Sequence, residues 1–570
     1  MELRAARLAT RLAALALLIL LLVPATAGAA DLKRPREFYT PPGGYGLTAQ
    51  KVLKIADRTE KVVSQKRKYG DRLYGVAYTN GPGRWQVSYF FGKKERAQVQ
   101  LDDATGAVLE QWTGPQVAWK MARGYEGQFG RKFNAAYIFI PMCLLFLLPF
   151  VDPRRPFRLV HLDLLVLLGF AASHVYFNKG DISASTPLAY PPMLYLLGRM
   201  LWIGFRPRTR AGPLVPYFPL VVVALGLLFL VGFRVALNIT DGRVIDVGYA
   251  GVIGADRIAD GDQLYGEGQW PKGIEKGDTY GPVTYLAYLP WEQAMPWQGR
   301  WDELPAAHAA AITFDLLTIL GLLVLGRRLR AGPSGTMLGF ALAYAWAAYP
   351  YTTFVLQSNS NDSLVAVLVV WALVFLRSPV GRGAMVGLAA AAKFTPLVLA
   401  PLFATASSDG VRWWRRAVIS SLATIGVIVA AFVPWIPDGG VRELYDRTLG
   451  YQAGRDSPFS IWGQEPQLDW LHVGVVVFAG LLALGVAFYP RRKSSMQVAA
   501  LAAAVMVAIE LTAEHWFYLY IVWFAPLVLV ASFLQWRTDP RPGPLDAPLP
   551  DYEDESAAAS SRREEIPSLS

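Results

Sequence analysis

The chain has 570 residues, of which 53% are hydrophobic and only 17% are charged. Because a water-soluble protein of this length carries more charge, the balance argues against a soluble enzyme and indicates a membrane protein with substantial polar loops. The one cysteine, Cys143, excludes an intrachain disulfide and a cysteine-based zinc site, and the net charge of +11 lies mainly in short loops, which favours membrane topology over nucleic-acid binding.

Residues 1–30 have the pattern of a secretory signal peptide. Arginines precede an apolar core, and small residues ending in Ala-Gly-Ala-Ala follow it. An uncleaved membrane anchor is the alternative. Either reading predicts that the chain from about residue 31 begins outside the cytoplasm.

Residues 31–130 are polar and predict a small extracytoplasmic α+β domain. The run "LTAQKVLKIADRTEKVV" repeats apolar residues at helical spacing, and three strand-like runs follow it, "WQVSYFF", "RAQVQL" and "AVLEQW". One helix followed by a β-meander resembles the PepSY family, whose terminal hairpin is similar to "VQLDDATGAVLEQW". The resemblance implies a module that binds or regulates partners and is not catalytic.

From Asn134 onward, apolar segments of membrane-spanning length recur, so the fold class is an α-helical polytopic membrane protein with about 11 spans. Three accessory helices fall within 134–205 and the others within 214–535. The spans are predicted near 134–151, 159–177, 191–205, 214–237, 306–326, 336–356, 362–376, 417–435, 470–489, 496–513 and 517–535.

The loops between the spans alternate in charge. Six short ones, containing "PRRPFR", "RPRTR", "RRLR", "RSPVGR", "VRWWRR" and "RRK", carry 17 basic residues in these runs, whereas the long loop 238–305 has five basic and 11 acidic residues. The positive-inside rule therefore predicts that the short loops are cytoplasmic and that 238–305 is outside. A multi-pass protein of a bacterial-type cytoplasmic membrane is expected.

The apolar stretch "GAMVGLAAAAKFTPLVLAPLFATA", residues 383–406, has basic loops on both sides. Lys393 and Pro396 divide it, and proline breaks helices, so a re-entrant pair of half-helices is predicted, with one tilted span as the alternative. Lys393 either reaches a buried carboxylate or extends to the cytoplasmic surface, and extension has the lower free-energy cost.

The tail, residues 536–570, is rich in proline, serine and charge. Such a composition cannot bury enough apolar surface to fold, so a disordered cytoplasmic tail is expected.

The segment "RVIDVGYAGVIGADRIADGDQLYG", residues 243–266, is dense in carboxylates and glycines. Small and apolar residues three and four apart predict a helix along the membrane surface, with Asp246 at its start. Free backbone amides and the helix dipole are expected to keep that carboxylate ionised. From spacing alone, a helix cap is favoured over a catalytic base.

This segment and the following "DTYGPVTYLAYLPWE" resemble the first external loop of the GT-C membrane glycosyltransferases. The greatest similarity is to the DUF2029 or GT87 branch, which uses polyprenyl-phosphate-mannose. The runs "QSNSNDSLVAVLVVWALVF", "GLAAAAKFTPLVLAPLF", "GRDSPFSIWG" and "EHWFYLYIVWFAPL" continue the resemblance in the family's order, over residues 214–535. No single motif is decisive, but five in order are strong.

The resemblance implies a hexosyltransferase, here a mannosyltransferase, that moves a sugar from a polyprenyl phosphate to a lipid or glycan acceptor on the extracytoplasmic side, with inversion. It assigns Asp246 as the base, because an acceptor hydroxyl has a pKa far above 7 and must lose its proton during attack. Asp241 is the alternative base, since it lies closest to the membrane end of span 214–237.

Other residues are candidates for binding the two substrates. The leaving phosphate needs cations or hydrogen-bond donors near the bilayer surface, and Arg455, Ser457 and His515 lie on the predicted external side. Candidate residues of the sugar or acceptor pocket are Tyr249, Tyr280, Asn361 and Trp516.

Several of these pocket candidates have a second explanation. Tyr280 and Trp516 also suit the aromatic belt of a membrane interface, and Asn361 also suits a cap of the span 362–376. Gln357, Asn359 and Asp362 share the same helix junction and the same potential to bind sugar hydroxyls.

No His, Asp or Glu set has convincing metal-ligand spacing and no nucleotide-binding loop follows a strand, so neither a metal nor a nucleotide cofactor is expected. One rival class is a secondary transporter, because broken helices around a lysine also fit it. Another is a non-catalytic sensor or assembly factor that uses the PepSY-like domain. The external position of the acidic and aromatic residues favours the transferase over the transporter.

Overall fold

The computed structural model describes residues 32–92, 94–118, 131–266, 268, 270–271, 274–299, 304–406, 413–453, 457–537 and 545. The predicted signal peptide, Arg455 and the tail after Arg537, apart from Leu545, lie outside the described residues. The chain divides into two compact units, residues 1–128 with 176–182, and residues 129–175 with 183–570.

The first unit contains an antiparallel sheet whose five strands follow one another in chain order. Its strands are β1 (Leu32–Lys33), β2 (Leu73–Asn80), β3 (Arg84–Phe91), β4 (Lys94–Asp102) and β5 (Val108–Thr113), and its helices are α1 (Ala49–Ala56), α2 (Glu60–Tyr69) and α3 (Pro115–Ala118). Alternate residues of a strand share one face, so Val87 of β3 and Val99 of β4 are buried in one core with Val52 of α1.

The predicted α+β meander is present, with two corrections. The single predicted helix is wrong, because the chain turns between α1 and α2, where Thr59 donates from Oγ1 to the Ala56 carbonyl (2.7 Å) and Asp57 accepts from the Tyr89 hydroxyl (2.7 Å). Strand β2 was not predicted, since Gly75 and polar residues weaken its strand pattern. The resemblance to the PepSY family stays a prediction.

The second unit is helical. Its helices are α4 (Ala136–Leu147), α5 (Leu159–Asn178), α6 (Ile182–Leu188), α7 (Tyr190–Phe205), α8 (Leu220–Asp241), α9 (Asp246–Asp260), α10 (Pro282–Ala294), α11 (Pro305–Leu329), α12 (Gly332–Ala348), α13 (Pro350–Gln357), α14 (Asp362–Val374), α15 (Pro379–Ala392), α16 (Ala400–Ala404), α17 (Trp413–Phe432), α18 (Gly440–Arg447), α19 (Leu449–Ala453), α20 (Ile461–Gln464), α21 (Asp469–Phe488), α22 (Ser495–Glu510) and α23 (Ile521–Leu534).

An apolar helix coincides with each predicted span except 336–356, which is divided at Tyr349 between α12 and α13. Among the described residues, five helices are long and apolar enough to cross a membrane: α5, α8, α11, α17 with its short continuation to Trp435, and α21. The chain is therefore a multi-pass membrane protein, and the total number of spans stays a prediction.

Two predicted local features are present in this unit. The carboxylate-rich segment forms α9, and Asp246 is its first residue. Helix α15 ends at Ala392, and a short 3-10 helix, Thr395–Leu399, separates it from α16, so the chain is broken at Lys393. Whether the two halves re-enter the membrane stays a prediction.

The first two residues of the predicted tail are ordered. Trp536 and Arg537 form strand β7, which pairs in parallel with strand β6, Arg210–Ala211. Backbone hydrogen bonds therefore order a polar segment that composition alone assigns to the tail.

Candidate active site

A buried polar turn holds the chain just before α9. The turn is residues 357–361, between α13 and α14. The Arg243 N–H donates to the Gln357 carbonyl (2.9 Å), and the Ile245 N–H donates to the Ser358 carbonyl (3.2 Å). These main-chain bonds fix the backbone of the residue that precedes Asp246.

Asn359 organises the same turn through its side chain. Its φ is +50°, in the left-handed region that asparagine tolerates better than most residues. Nδ2 donates to the Arg243 carbonyl (3.0 Å), and Oδ1 accepts from Nδ2 of Asn238 (2.8 Å). His308 in turn bonds Oδ1 of Asn238 through Nδ1 (2.9 Å). The turn, α8 and α11 are therefore joined behind α9.

Glycines allow α9 to lie close to this support. A Cβ on Gly248 would overlap the Asn359 carbonyl oxygen, and a Cβ on Gly254 would overlap the ring of Tyr285. At Gly251 a Cβ would lie 2.7 Å from the ring of Tyr288. The position of α9 therefore depends on the absence of side chains at every third residue.

Asp246 is exposed at the beginning of this fixed helix. Ile245 occupies the cap position, and Asp246 is the first helical residue, with Oδ1 accepting from the Val247 N–H (3.0 Å). Negative charge is stabilised at a helix N-terminus. The cap interpretation is thus incomplete, because the carboxylate lies at the helix end and is exposed.

Tyr280 lies near Asp246 and near the broken helix. Burial, followed by the negative charge of Asp246, raises the pKa of the Tyr280 hydroxyl well above its ordinary value. The next residue, Gly281, donates its N–H to the Ala392 carbonyl (3.0 Å), which also accepts from Oγ1 of Thr284 (2.8 Å). The start of α10 is therefore attached to the end of α15, immediately before Lys393.

Lys393 is buried and paired with a carboxylate. Its Nζ lies 2.5 Å from Oδ1 of Asp362, which also accepts from Nε1 of Trp523 (3.1 Å). Oδ2 of Asp362 accepts from Oγ of Ser360 (2.6 Å). The preferred prediction that Lys393 extends to the cytoplasmic surface is wrong, because a buried partner compensates its charge within the protein.

Aromatic rings surround the remainder of the lysine. Nζ of Lys393 lies 5.4 Å from the ring centre of Tyr280, 5.8 Å from that of Tyr520 and 5.2 Å from that of Trp523. Such distances permit cation–π attraction. We call Asp362, Lys393, Tyr280, Tyr520 and Trp523 the Lys393 cluster.

Ser457 and His515 form a second polar pair. Oγ of Ser457 lies 2.8 Å from Nδ1 of His515, and the ring of Phe459 contacts the imidazole edge-on. Ser460 has a different role, because its Oγ accepts from the Gly463 N–H (3.1 Å) and caps α20. The structure therefore brings together two of the three predicted phosphate-binding residues.

The third, Arg455, lies outside the described residues, but its flanks are placed. Nε2 of Gln452 donates to Oγ1 of Thr279 (2.7 Å), next to Tyr280. Ser457, on the other side, bonds His515. Gln452 is thus attached beside the Lys393 cluster, and Ser457 is attached to His515.

Asp241 is placed differently from Asp246. It is the last residue of α8, is buried, and accepts from the Lys132 N–H (2.9 Å). The carboxylate of Asp241 therefore already binds a backbone amide of the segment before α4. Its position does not support the alternative that Asp241 is the base.

Asn361 does not cap the helix that follows it. It is buried, and the N–H of Asp362 at the helix start instead donates to Oγ of Ser360 (3.1 Å). Among the described residues, neither Oδ1 nor Nδ2 of Asn361 has a hydrogen-bond partner. The cap interpretation is wrong, because the serine hydroxyl takes that role and leaves the amide with unused capacity.

Two predicted aromatic residues lie inside the unit. Trp516 is buried, donates from Nε1 to Oε2 of Glu510 (3.1 Å) and stacks on Phe170. Its burial against Glu510 does not support either of its predicted places, in the sugar pocket or in the interface belt. Tyr249 is half-buried and packs against two apolar clusters on either side of α9.

Tyr520 and Trp523 were missed as site residues. Both occur in "EHWFYLYIVWFAPL", where they read as ordinary apolar residues of the last span. The signal that could have found them is the isolated charge of Lys393, because an ionisable side chain within an apolar segment needs polar or aromatic partners nearby.

Residues 279–532 match the model of a family described as Glycosyltransferase family 87. The polyprenol-phosphate-mannose-dependent alpha-(1-2)-phosphatidylinositol mannoside mannosyltransferase of Mycobacterium tuberculosis (strain ATCC 25618 / H37Rv) is 26% identical over 318 residues, covering 50% of this chain and 69% of the relative. The predicted resemblance is confirmed, and the transporter and sensor classes lose support. Asp246 lies outside the matched range, so its role depends on the geometry.

Proposed function

We propose that the membrane part of this chain is a GT87-like glycosyltransferase that transfers a mannosyl residue from polyprenyl-phosphate-mannose to a lipid or glycan acceptor, using Asp246 as the base. The observation that carries the mechanism is the exposed carboxylate of Asp246, held by the turn 357–361 and close to Tyr280. The printed name of the mycobacterial relative supports the choice of donor.

Asp246 accepts the proton of the acceptor hydroxyl. As this proton moves to the carboxylate, the acceptor oxygen bonds to the anomeric carbon of the sugar and the bond from that carbon to the phosphate oxygen breaks. The electron pair leaves with polyprenyl phosphate. Attack occurs on the face opposite the leaving group, so the configuration at the anomeric carbon is inverted.

The fold keeps Asp246 in its basic form. The first backbone amides of α9 carry partial positive charge, which favours a carboxylate over a carboxylic acid at its first residue. The glycine contacts of α9 hold this carboxylate in place before a substrate binds. A base fixed in this way does not have to be ordered during the reaction.

The leaving phosphate is stabilised on the other side of Tyr280. Lys393 uses one donor for Asp362, while its side chain stays 10% exposed, so its ammonium retains N–H groups for an anion. His515, Ser457 and Arg455 complete the phosphate site in this proposal. The attachment of Gln452 next to Tyr280, and of Ser457 to His515, supports this arrangement.

The reaction occurs on the extracytoplasmic side of a bacterial-type cytoplasmic membrane in this proposal. The acidic loop 238–305 carries Asp246, and the basic short loops lie at the opposite ends of the spans. Both substrates are bound to the same membrane surface, which restricts their search to two dimensions.

No metal is required in this proposal. Within the part of the chain that the structure describes, no group of three His, Cys, Asp or Glu residues could hold an ion. Transfer is therefore expected to continue at an unchanged rate in excess EDTA, and loss of transfer that returns with a divalent cation would contradict this.

The test uses purified full-length chain in vesicles of host lipid extract, with radiolabelled polyprenyl-phosphate-mannose as donor. Asp246→Asn removes the proton acceptor and keeps the shape, so the transfer rate is expected to fall about 100-fold or more. Asp260→Asn is the matched control, because Asp260 is exposed at the other end of the same helix. Asp241→Asn keeps an oxygen acceptor for Lys132 and is expected to retain activity.

Two results would overturn parts of the proposal. Loss of transfer in Asp241→Asn, with Asp246→Asn active, would move the base and leave the reaction class intact. No transfer by the wild type from any polyprenyl-phosphate sugar would reject the proposed activity, and transport assays would follow.

A further inference from the structure

The second compact unit contains a cavity that lies away from Asp246. Its volume is about 450 Å³, and it is lined by Arg154, Arg155, Pro156, Phe157, Arg158, Arg210 and Trp536. Four of these side chains are guanidinium groups, and none of the described lining residues is acidic. The cavity therefore has the charge of an anion-binding site.

The wall of this cavity is built by specific contacts. Arg158 stacks on Trp536 with its guanidinium 3.8 Å from the ring centre, and its Nη2 donates to the Pro213 carbonyl (2.8 Å). Asp152 lies behind the wall, 3.8 Å from Arg158, and also accepts from the hydroxyl of Tyr217 (2.8 Å). One arginine is thus fixed as a structural element.

The other three arginines are open to a ligand. Arg154, Arg155 and Arg210 are exposed. Arg210 belongs to strand β6, which is paired with the strand that carries Trp536. The backbone therefore holds Arg210 across the cavity from the loop of Arg154 and Arg155, so charge converges from two sides.

Helix α8 gives the position of this cavity relative to the candidate active site. Arg210 precedes the helix at Leu220, and Asp246 follows its end at Asp241. A helix of 22 residues is about 33 Å long, which matches the apolar thickness of a bilayer. The cavity thus lies at the opposite membrane surface from Asp246, too far away to bind the reacting sugar.

We propose that this cavity binds the phosphate of an anionic phospholipid headgroup in the leaflet opposite the active site. Guanidinium groups bind phosphate oxygens through paired N–H donors. The inference is independent of the transferase activity. It concerns a surface that the sugar-transfer mechanism does not use.

Phe157 favours a lipid over a soluble phosphate. Its side chain is 96% exposed, beside the arginines and two residues before the apolar helix α5 begins. An exposed aromatic ring next to cationic groups at the end of a span is typical of contact with the headgroup and acyl boundary. A soluble phosphate would give this ring no apolar surface to cover.

The experiment is native mass spectrometry of the purified full-length chain with increasing phosphatidylglycerol, and with phosphatidylcholine as the neutral lipid. The test variant is Arg154→Gln with Arg155→Gln. The matched control is Arg491→Gln with Arg492→Gln, which removes two exposed arginines from another predicted cytoplasmic loop. The test variant is expected to bind phosphatidylglycerol about 10- to 30-fold more weakly, and the control to match the wild type.

Further arms separate the possible occupants. Inorganic phosphate, compared with sodium chloride of equal ionic strength, is expected to leave lipid binding unchanged, and selective displacement by phosphate would identify a soluble ligand instead. The acidic run "DYEDE", residues 551–555, is neutralised in full-length chain by Asp551→Asn, Glu553→Gln, Asp554→Asn and Glu555→Gln. Binding that occurs only in that variant would identify the tail as the occupant.

The proposal also fails if the test and control variants lose binding equally, or if phosphatidylcholine binds as tightly as phosphatidylglycerol. Thermal unfolding of both variants without added lipid is the folding check. Equal unfolding temperatures are expected, because Arg154 and Arg155 are exposed.

Discussion

Two buried ion pairs in the membrane unit differ in how completely the protein uses them. Arg234 on α8 is 0% exposed and pairs with Asp315 on α11. Its Nη1 also donates to the carbonyls of Trp346 (3.1 Å) and Ala347 (2.9 Å) and to Oγ1 of Thr352 (2.8 Å). Protein groups surround this cation, so its role is to join four helices, α8, α11, α12 and α13.

The pair of Lys393 and Asp362 has a different environment. The lysine is 10% exposed, and apart from Asp362 its described neighbours are aromatic rings. Rings attract a cation but accept no strong hydrogen bond, so donor capacity is left over. The comparison teaches that the burial of a charge does not by itself identify a functional site. Hydrogen-bond donors that the protein leaves unused, and that face an opening, identify a candidate site.

The largest expected effect is on the stability of the protein when the fully enclosed pair, Arg234 and Asp315, is broken. Arg234→Met leaves Asp315 buried without its cation, which is expected to lower the free energy of unfolding by about 3–5 kcal/mol. The measurement is the thermal unfolding temperature and the monodisperse yield in detergent. Asp315→Leu added to Arg234→Met removes the stranded charge and is expected to recover part of the loss. If Arg234→Met unfolds at the wild-type temperature, the pair is not structural.

The second effect is on catalysis and concerns the partly exposed pair of Lys393 and Asp362, which we call the open pair. Lys393→Met is expected to lower kcat/KM for polyprenyl-phosphate-mannose about 100-fold, because the leaving phosphate loses a cation. Asp362 keeps its bonds from Ser360 and Trp523. The unfolding temperature is therefore expected to fall less than in Arg234→Met. Lys393→Arg retains the charge and is expected to recover part of the activity. A fall in unfolding temperature equal to that of Arg234→Met, with activity intact, would erase the distinction between the pairs.

The third effect concerns the position of the base relative to the open pair. In Gly248→Ala, the new Cβ meets the Asn359 carbonyl oxygen, so the start of α9 must shift away from the turn 357–361. Initial rates are expected to fall about tenfold, since misplacement of a catalytic group by a fraction of an ångström is costly. The control is Gly232→Ala on α8, where a Cβ meets open space. Equal rates in both variants would show that the glycine contact does not position Asp246.

The smallest effect concerns Asp256. This carboxylate has no cationic partner strong enough to offset the carboxylates near it. Burial and the carboxylates of Glu292, Asp260 and Asp262 raise the pKa of Asp256 to about 6. The ionised form is therefore disfavoured in the fold, and its contribution lowers stability as pH rises from about 4 to about 6.

Asp256→Asn removes that penalty. The unfolding temperature is expected to rise by about 1 °C at pH 7.5 and by less at pH 4, because water screens this partly exposed carboxylate. A larger gain at pH 4 than at pH 7.5 would contradict the raised pKa.

Features that depend on local sequence were predictable. The start of α9 at Asp246 follows from helical spacing, and the break at Lys393 follows from the nearby proline. The orientation of the loops stays a prediction, and it rests on charge counts, which need no knowledge of contacts.

Features that depend on distant contacts were not predictable. Lys393 and Asp362 are 31 positions apart, and Asp241 binds an amide 109 positions away. A single sequence shows that each of these groups needs a partner, but not which partner the packing of helices provides. For the same reason the burial of Trp516 by Glu510 could not be read from an ordinary aromatic motif.

The bond from Gly281 to Ala392 has a consequence for the order in which the protein is made. The loop that carries Asp246 leaves the ribosome early, whereas its partners at Lys393 follow much later and Trp523 belongs to the last described helix. Domains fold as their segments emerge, N-terminal parts first. In the proposed mechanism, a chain that is still being synthesised therefore has the base but not the complete site, and it is expected not to consume the lipid-linked sugar before its insertion is finished.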